Sequence, residues 1–351
     1  MSLKVLHLHF GKDGGAERFF VNLVNALGER GVEQRFVMRP KRVWKREIAH
    51  LGEIIENNYR RISPTSLWLE WRVRKLVREW KPDAILAWMP RAARLIPATG
   101  DAVKFVRLGD FPRHLKHFRY CDFIVGNIPG IGVHCQNLGW EKPVVTISNF
   151  PREVSPVPVD RQLLDTPEDA FVVSSSGRFV PRKGMDLLVR AIARIPGAYL
   201  WLLGDGKELD ALQQLAQQEG VLDRVRFPGW VDEPIHYVAA SDLFCMPSRH
   251  EPLGNVVLEA WRAGVPTVST RSEGPSWYMR DGDNGLLVDI DDLDALVDAI
   301  NRVRVDPELG NRLVANANET LDALFSREHI VDFYLLAFQG RIDEIQAADH
   351  H

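Results

Sequence analysis

The sequence predicts an α/β protein made of two doubly wound, Rossmann-like domains with parallel sheets. Strand-like and helix-like hydrophobic patterns alternate along almost all of the 351 residues, which is typical of parallel sheets covered by helices. A proline-rich stretch at 149–169 interrupts this alternation once, and the pattern then begins again. Because parallel sheets bind ligands at the carboxyl ends of their strands, we expect the site in a cleft between two facing domains.

The first predicted domain covers residues 1–150. It opens with the strand pattern LKVLHLHF, a GKDGG turn and an amphipathic helix that ends near Gly31. Helical patterns separate most of the later strands of this domain. Those strands are predicted at 33–38, 83–88, 104–108, 122–126 and 143–148.

The second predicted domain, residues 151–325, repeats this arrangement. Its strands are predicted at 171–177, 198–204, 242–248, 265–270 and 285–289, and its helices at 184–195, 206–219, 254–263 and 291–304. The stretch 307–345 is helical throughout, apart from a break near Phe325 and Ser326. We expect the last segment, 326–351, to be a helix that crosses back to the first domain.

The net charge of −3 conceals a division between the two halves of the chain. Residues 1–150 carry 25 Lys and Arg against 14 Asp and Glu, a charge of +11, whereas residues 151–351 carry 19 against 33, a charge of −14. A strongly basic half indicates an anionic partner, such as nucleic acid, an acidic lipid surface or a phosphorylated acceptor.

Two basic segments, 40–46 and 59–81, combine these cations with aromatic side chains. The second segment has the helical spacing of a surface that could lie on an anionic bilayer, or of a core helix with a solvated basic face. Nucleic acid is the less favoured partner, because no nucleic-acid-binding motif accompanies the charge. We interpret Trp44, Trp68, Trp71 and Trp80, with the nearby Trp88, as interfacial tryptophans. The residues of the second segment at helical spacing are Leu67, Trp71, Arg74, Lys75 and Arg78.

The sequence favours a cytoplasmic protein that can associate peripherally with the inner face of the plasma membrane. No stretch approaches the roughly 18 apolar residues of a membrane helix, and the N-terminal segment reaches Gly11 too soon for the core of a signal peptide. The cysteines Cys121, Cys135 and Cys245 are scattered, without the spacing of a disulfide framework or a metal site.

Three loops at predicted strand ends carry candidate ligand-binding residues. Gly14 and Gly15 precede a helix, whose free amides could face a phosphate; alternatively, the two glycines form a tight turn that binds nothing. The spacing of these glycines is not that of a dinucleotide-binding site. Arg178 and Lys183 could hold a diphosphate, or be solvated surface cations. Gly204 ends the next strand, at the same expected edge.

A fourth loop, after the strand 242–248, carries Glu251. Gly254 and Asn255 then open a helix on which Glu259 lies about one turn in. The helix N-terminus offers amides to anionic oxygens, and the carboxylates can accept hydrogen bonds from sugar hydroxyls. The alternative is a solvated loop carboxylate followed by an ordinary glutamate on a helix surface.

These segments together resemble the C-terminal domain of retaining glycosyltransferases of family 4, which have the GT-B fold. The match comprises GRFVPRKG, a strand followed by GDG, FPGWV, SDLFCMPSRHEPLGNVVLEAWRAGVPTV and DGDNGLLV, all within 171–290, and GGAER at 14–18 resembles the family's N-terminal glycine loop. The resemblance covers most of the chain, more loosely between 40 and 140. It implies that the first domain binds the acceptor and the second the nucleotide sugar.

The resemblance implies a role for each matching residue. Arg178 and Lys183 would neutralise the diphosphate, Glu259 would bind the ribose and Glu251 would contact the transferred sugar. Trp230 and Val231 would flank the base, and Gly15 would touch the donor phosphate from the opposite domain. The other donor-binding positions are Gly14, Gly204, Leu253, Gly254 and Asn255.

Two positions depart from the family pattern. Family members often carry a histidine after the strand equivalent to 104–108, where the nearest polar candidate here is Asp110. We include Asp110 with Glu251, Arg178 and Lys183 among the predicted catalytic residues; the alternative is that it caps a helix or is a surface carboxylate. Where the family usually has a glutamate, before the D-G-x-N-G turn, this chain has Trp277, which could alter substrate contacts or simply pack.

The function that the resemblance implies is that of a retaining hexosyltransferase. It would move a sugar from a UDP- or GDP-type donor to a glycan or lipid-linked glycan, in lipopolysaccharide or surface-polysaccharide assembly. We expect no metal and no other cofactor, because fixed cations and helix N-termini can stabilise the departing diphosphate. The alternatives are a nucleotide-sugar epimerase or hydrolase on the same fold, and a non-catalytic nucleic-acid-binding or scaffold protein.

Two further features are interpreted as structural. His7 and His9 alternate on the first strand and therefore share one of its faces, as buried core histidines do. The Asp-x-Asp pattern in DIDDLD, at 289–294, leads directly into a helix and is interpreted as a helix cap rather than a metal site.

Overall fold

The computed structural model describes residues 2–11, 14–59 and 63–348. The chain divides into two compact units, one made of Met1–Phe150 and Arg327–His351 and the other of Pro151–Ser326. Three parts of the sequence predictions lie outside the described residues: 12–13 of the glycine-rich turn, 60–62 of the second basic segment, and 349–351 of the last segment.

The first unit is built on a parallel sheet of seven strands, in the order β3-β2-β1-β4-β5-β6-β7. Its strands are β1 (Lys4–His9), β2 (Glu33–Met38), β3 (Ile54–Glu56), β4 (Ala84–Trp88), β5 (Val103–Leu108), β6 (Phe123–Gly126) and β7 (Val144–Thr146). Its helices are α1 (Gly15–Glu29), α2 (Lys45–Ile48), α3 (Pro64–Trp80), α4 (Met89–Ala93) and α5 (Pro129–Asn137), with α13 (Arg327–Phe338) and α14 (Ile342–Ala348) from the end of the chain.

The second unit is built on a parallel sheet of six strands, in the order β10-β9-β8-β11-β12-β13. Its strands are β8 (Phe171–Ser176), β9 (Ala198–Leu203), β10 (Val225–Gly229), β11 (Leu243–Met246), β12 (Thr267–Thr270) and β13 (Leu286–Val288). Its helices are α6 (Met185–Ala193), α7 (Leu209–Gln218), α8 (Pro234–Ala239), α9 (Asn255–Arg262), α10 (Pro275–Tyr278), α11 (Leu293–Val305) and α12 (Pro307–Phe325).

Each sheet encloses its own core, so the predicted class of two parallel α/β domains is confirmed. In the first unit, Phe20 of α1 and Phe36 of β2 join one apolar cluster with Tyr334 and Phe338 of α13. The second unit has a separate aliphatic cluster along β8, β9 and the helices α6 and α11. The central strands of both units are buried on both faces, which explains their near-continuous apolar runs.

Two strands, β3 and β10, were not predicted. Each lies at an edge of its sheet and pairs with one neighbour only. β3 has three residues, and β10 contains Pro228, whose missing N–H is tolerated at an edge. Neither segment has the longer apolar run by which the other strands were recognised.

The interpretation of the five tryptophans as interfacial is wrong for three of them. Trp44, Trp80 and Trp88 are buried in the first unit, whereas Trp68 and Trp71 on α3 are about half exposed. A short apolar run such as AILAW cannot distinguish a core indole from one at a surface. None of the helices in the described part of the chain is both long and apolar enough to span a bilayer.

Candidate functional site

Three loops meet at the carboxyl edge of the second sheet. The amide of Gly177, after β8, donates to the carbonyl of Leu203 at 2.9 Å, and the amide of Phe179 donates to that of Asp205 at 2.8 Å. The amide of Gly204, after β9, donates in turn to the carbonyl of Gly229 at 2.9 Å. The backbone of this edge is therefore fixed before any ligand arrives.

Gly204 is required by this close approach. Its φ is +148°, and a Cβ atom there would lie 2.0 Å from the carbonyl oxygen of Gly177. No side chain fits in that space, so the predicted glycine brings two loops together. This packing by itself does not test the predicted donor-binding role.

Lys183 and Glu251 form the centre of the candidate site. The Lys183 Nζ donates to Glu251 Oε2, and each side chain has 14% of its surface exposed. The Ser248 hydroxyl lies 3.4 Å from the same carboxylate oxygen. The Lys183 side chain also runs past the end of β8, where a Cβ on Gly177 would meet its Cε at 3.7 Å. The two predicted site residues, which are 68 positions apart in the sequence, are thus in direct contact.

Glu273, which the sequence analysis missed, holds the loop of Glu251 in place. Its carboxylate accepts from the Glu251 amide at 3.0 Å and contacts His250 Nδ1 at 2.7 Å, while the Gly274 amide donates to the Glu251 carbonyl at 2.9 Å. Burial would raise the pKa of Glu273, but hydrogen bonds from its own amide, the Glu251 amide and His250 outweigh it and lower that pKa. Glu273 is therefore an anion that orients the loop.

Arg249, also missed, fastens the other side of this loop. Its guanidinium donates to both carboxylate oxygens of Asp186 on α6, at 2.9 and 2.8 Å, and to Asp291 at 2.7 Å. Hydrogen bonds from Arg249 overcome the burial that would raise the pKa of Asp186, and leave that pKa lowered. No pattern local in sequence could reveal a clamp whose partners are 42 and 63 positions away.

The segment from Leu253 to Glu259 lies beside this pair, on the same loop and the helix that follows. Gly254 caps α9 in a left-handed conformation with φ +85°, and the Tyr278 hydroxyl donates to the Leu253 carbonyl at 3.0 Å. Asn255 and Glu259 are half-buried on α9. The first amides of a helix have no partner within it, so this end can meet an anion.

Arg178, Trp230 and Val231 flank the loops without joining the central pair. Arg178 is exposed directly after Gly177, and its side chain has no hydrogen-bond partner among residues 2–11, 14–59 and 63–348. Trp230 is 69% exposed beyond β10, and Val231 is half-buried. Trp277 packs edge-on against Tyr278 and Phe325, with ring centres 6.1 and 5.8 Å apart, which favours its packing role.

The remaining predicted residues, Gly14, Gly15 and Asp110, belong to the first unit. α1 begins at Gly15, and the Gly14 carbonyl accepts from the Arg18 amide at 3.0 Å. Asp110 follows β5 and accepts from the Phe111 amide at 2.8 Å. Their predicted roles toward a ligand stay predictions.

The acidic pattern at 289–294 caps a helix, as predicted. Asp292 accepts from the Ala295 amide at 2.9 Å at the start of α11, and Asp291 binds Arg249. Across the part of the chain that the structure describes, no three His, Cys, Asp or Glu side chains come together as a possible metal site.

A cavity of about 1090 Å³ opens at the other edge of the second sheet. It lies at the amino ends of β8 and β9, and its charged lining includes Arg161, which pairs with Asp242 at 3.0 Å. None of the predicted site residues lines it. Ligand chemistry in parallel sheets belongs to the carboxyl edge, so the candidate site remains the one around Lys183 and Glu251.

Comparison with known proteins identifies relatives over nearly the whole chain. Residues 157–320 match the family model for glycosyl transferases group 1. Two lipopolysaccharide core biosynthesis glycosyltransferases of Rhizobium meliloti are similar: LpsE, 53% identical over 95% of this chain and 98% of its own length, and LpsD, 47% identical over 96% and 98%. The crystal structure of Anabaena HepE in complex with UDP and glucose has a TM-score of 0.77 at 21% identity, covering 99% of this chain and all of that one.

Proposed function

The chain belongs to the group 1 glycosyltransferase family, with the GT-B fold, and on that premise we propose that it transfers a hexose from a nucleoside diphosphate sugar to a growing lipopolysaccharide core. The names of its relatives in Rhizobium meliloti support this acceptor. The UDP and glucose named with HepE support a nucleotide sugar as donor. The assignment to family 4 belongs to the proposal.

The contact between Lys183 and Glu251 carries the proposal. A half-buried ammonium at the edge of a parallel sheet, beside a helix N-terminus, suits a diphosphate. A carboxylate in contact with that ammonium can accept hydrogen bonds from the hydroxyls of the attached sugar. Arg178 is exposed on the neighbouring loop and can add a bidentate contact to the phosphates. Glu259 on α9 would bind the ribose.

The proposed reaction proceeds with retention and without a metal. The bond between the anomeric carbon and the diphosphate oxygen breaks, and the acceptor oxygen bonds to that carbon on the same face. The acceptor proton passes to the departing phosphate oxygen. Lys183 and Arg178 stabilise the negative charge that develops on the leaving group, a fixed electrostatic contribution that requires no metal ion.

The test measures nucleoside diphosphate release from UDP- and GDP-sugars, with and without a deacylated lipopolysaccharide core acceptor, in the presence of a chelator. We expect release with one donor, dependent on acceptor, and a product with the anomeric configuration of the donor. Lys183→Ala should lower this release about 10²–10³-fold. Lys45→Ala is the matched control, because Lys45 also pairs with a glutamate, Glu56 at 2.7 Å, but in the first unit.

Other outcomes would contradict the proposal in distinguishable ways. Equal nucleoside diphosphate release without acceptor would indicate a hydrolase, and conversion of the donor to its epimer without such release would indicate an epimerase. No binding of any nucleoside diphosphate sugar, with tight binding of nucleic acid, would indicate a non-catalytic protein. Loss of activity with the chelator, restored by a divalent ion, would overturn metal independence alone.

A further inference from the structure

Helix α3 has two faces of different character. One face is buried in the first unit through Leu69, Val73, Leu76, Val77 and Trp80. At 3.6 residues per turn, the opposite side of the helix carries a second set of side chains that share one face. We call this set the α3 outer face; it consists of Leu67, Trp68, Trp71, Arg74, Lys75 and Arg78.

The N-terminal half of the α3 outer face is apolar and exposed. Leu67 has 69% of its surface exposed, Trp68 48% and Trp71 53%. Single exposed apolar residues are common on proteins, but three large ones on adjacent turns form a patch that indicates an interaction surface. The helix is well formed here, since the Ser63 hydroxyl caps it by accepting from the Ser66 amide at 3.2 Å.

Cations accompany these indoles. The Arg72 guanidinium lies 5.3 Å from the centre of the Trp68 ring, and the Lys75 ammonium lies 5.5 Å from that of Trp71. The helix has four cations and two carboxylates, Glu70 and Glu79. These form long ion pairs with Arg74 and Lys75, at 3.7 and 3.8 Å, between exposed groups, so they neutralise the cations weakly.

We propose that the α3 outer face docks this chain on an anionic phospholipid bilayer. Tryptophan prefers the interface between lipid and water, and an amphipathic helix binds there through its buried apolar area and through its attraction to anionic headgroups. Leu67 and the two indoles would enter the interface, while Arg74, Lys75 and Arg78 would lie at the headgroups. Charge alone would suit nucleic acid equally, but the sugar–phosphate backbone of a nucleic acid has no apolar surface that would cover Leu67.

This inference does not depend on the proposed reaction, because every residue that carries it lies in the first unit. The experiment floats the full chain with vesicles of phosphatidylcholine, with and without phosphatidylglycerol, over a range of salt concentrations. We expect binding that requires phosphatidylglycerol and weakens with salt. Affinity for nucleoside diphosphates is measured in parallel, so that the two proposals can fail separately.

Two sets of substitutions separate the apolar and cationic contributions. Trp68→Ser with Trp71→Ser should weaken vesicle binding at least tenfold, and Arg74→Gln with Arg78→Gln should weaken it and flatten its dependence on salt. Leu163→Ser is the matched control, because Leu163 has the same 69% exposure as Leu67 but lies in the second unit. Thermal melting should be unchanged throughout, since each replaced residue is exposed to solvent.

Three results would overturn the inference. The first is wild-type protein that does not float with anionic vesicles. The second is vesicle binding that survives the two tryptophan substitutions. The third is binding of single-stranded oligonucleotides, instead of vesicles, that is lost with the same tryptophans, since aromatic side chains can also stack on bases.

Discussion

The two units bury polar groups of different kinds. The first encloses ionisable side chains: His7 is fully buried, and His9 and Arg107 have 3% and 1% of their surface exposed. The second encloses hydroxyls, such as Ser174, which hydrogen-bonds Ser241 at 2.7 Å. Among its described residues, no charged side chain is buried to the same degree.

The buried ionisable groups of the first unit therefore affect its stability, whereas the charges of the candidate site in the second unit are placed to contact a ligand. Arg107 lies 4.9 and 5.5 Å from the ring centres of Phe19 and Trp88, and no carboxylate among the described residues pairs with it. The second unit has its candidate ligand-binding charges at the carboxyl edge, where Lys183 contacts Glu251. Perturbing charge should therefore destabilise the first unit and inactivate the second.

Acid should produce the largest effect, and in the first unit. Burial lowers the pKa of both His7 and His9 to about 3, from an ordinary value of 6.5. Below pH 6.5 these two imidazoles bind protons in the unfolded chain, but in the folded chain they stay neutral until the pH approaches 3. The free energy of unfolding therefore falls as the pH falls from 6.5 towards 3. At about 1.4 kcal/mol per pH unit and ring, the loss reaches about 5 kcal/mol over two units.

The measurement is hydrogen exchange of β1 and β8 peptides as a function of pH, which reports the two units separately. His9→Phe should remove about half of the pH dependence in β1, because it removes one of the two titrating rings. Phenylalanine fits this position, since His9 stacks on Phe20 at 4.4 Å and its Nδ1 has no partner among the described residues. Equal acid sensitivity of β1 and β8, or an unchanged slope in the variant, would refute the comparison.

Breaking the central pair should have the next largest effect, and should affect turnover more than folding. In the proposed reaction Lys183→Ala removes the cation that would face the departing diphosphate, and we expect turnover to fall about 10²–10³-fold. Arg107→Leu, in the first unit, should instead lower the melting temperature. Steady-state kinetics and thermal melting of both variants check the prediction, which fails if the two effects are exchanged.

A methyl group at Gly274 should have an intermediate effect on the second unit. Its Cβ would lie 2.3 Å from the Leu253 carbonyl oxygen, so Gly274→Ala should cost about 1–3 kcal/mol of unfolding free energy. Gly130→Ala is the control from the first unit, where the new Cβ meets nothing closer than 3.8 Å. Urea unfolding of both variants gives the comparison, and equal stabilities would contradict it.

Two buried tyrosines provide the smallest and sharpest test. The Tyr278 hydroxyl donates to Leu253, so Tyr278→Phe should cost about 1 kcal/mol. The Tyr334 hydroxyl, next to Arg107, makes no hydrogen bond of ordinary geometry with the described residues. Tyr334→Phe should therefore be close to neutral in the same urea experiment, and a loss equal to that of Tyr278→Phe would show that Arg107 is its true partner.

The sequence predicted what depends on neighbouring residues and missed what depends on distant ones. The central strands and the break between α12 and α13 are confirmed, because long apolar periods and an interruption of the helical period near Phe325 and Ser326 are local signals. Glu251 and Lys183 were found through motifs within a few positions of each. Glu273 and Arg249 were missed, because their partners come from other loops and a short acidic segment such as SEGP has no period.

The contact between Lys183 and Glu251 also links the two ends of the proposed donor energetically. A diphosphate that attracts Lys183 leaves Glu251 available to a sugar, and a sugar that engages Glu251 releases Lys183, so each fragment should raise the affinity for the other by the same factor. The diphosphate alone, or the sugar alone, breaks the half-buried ion pair and supplies a new partner to only one of its two side chains. The intact donor satisfies both groups at once, and the second unit should therefore discriminate against hydrolysed donor and free sugar without any additional contact.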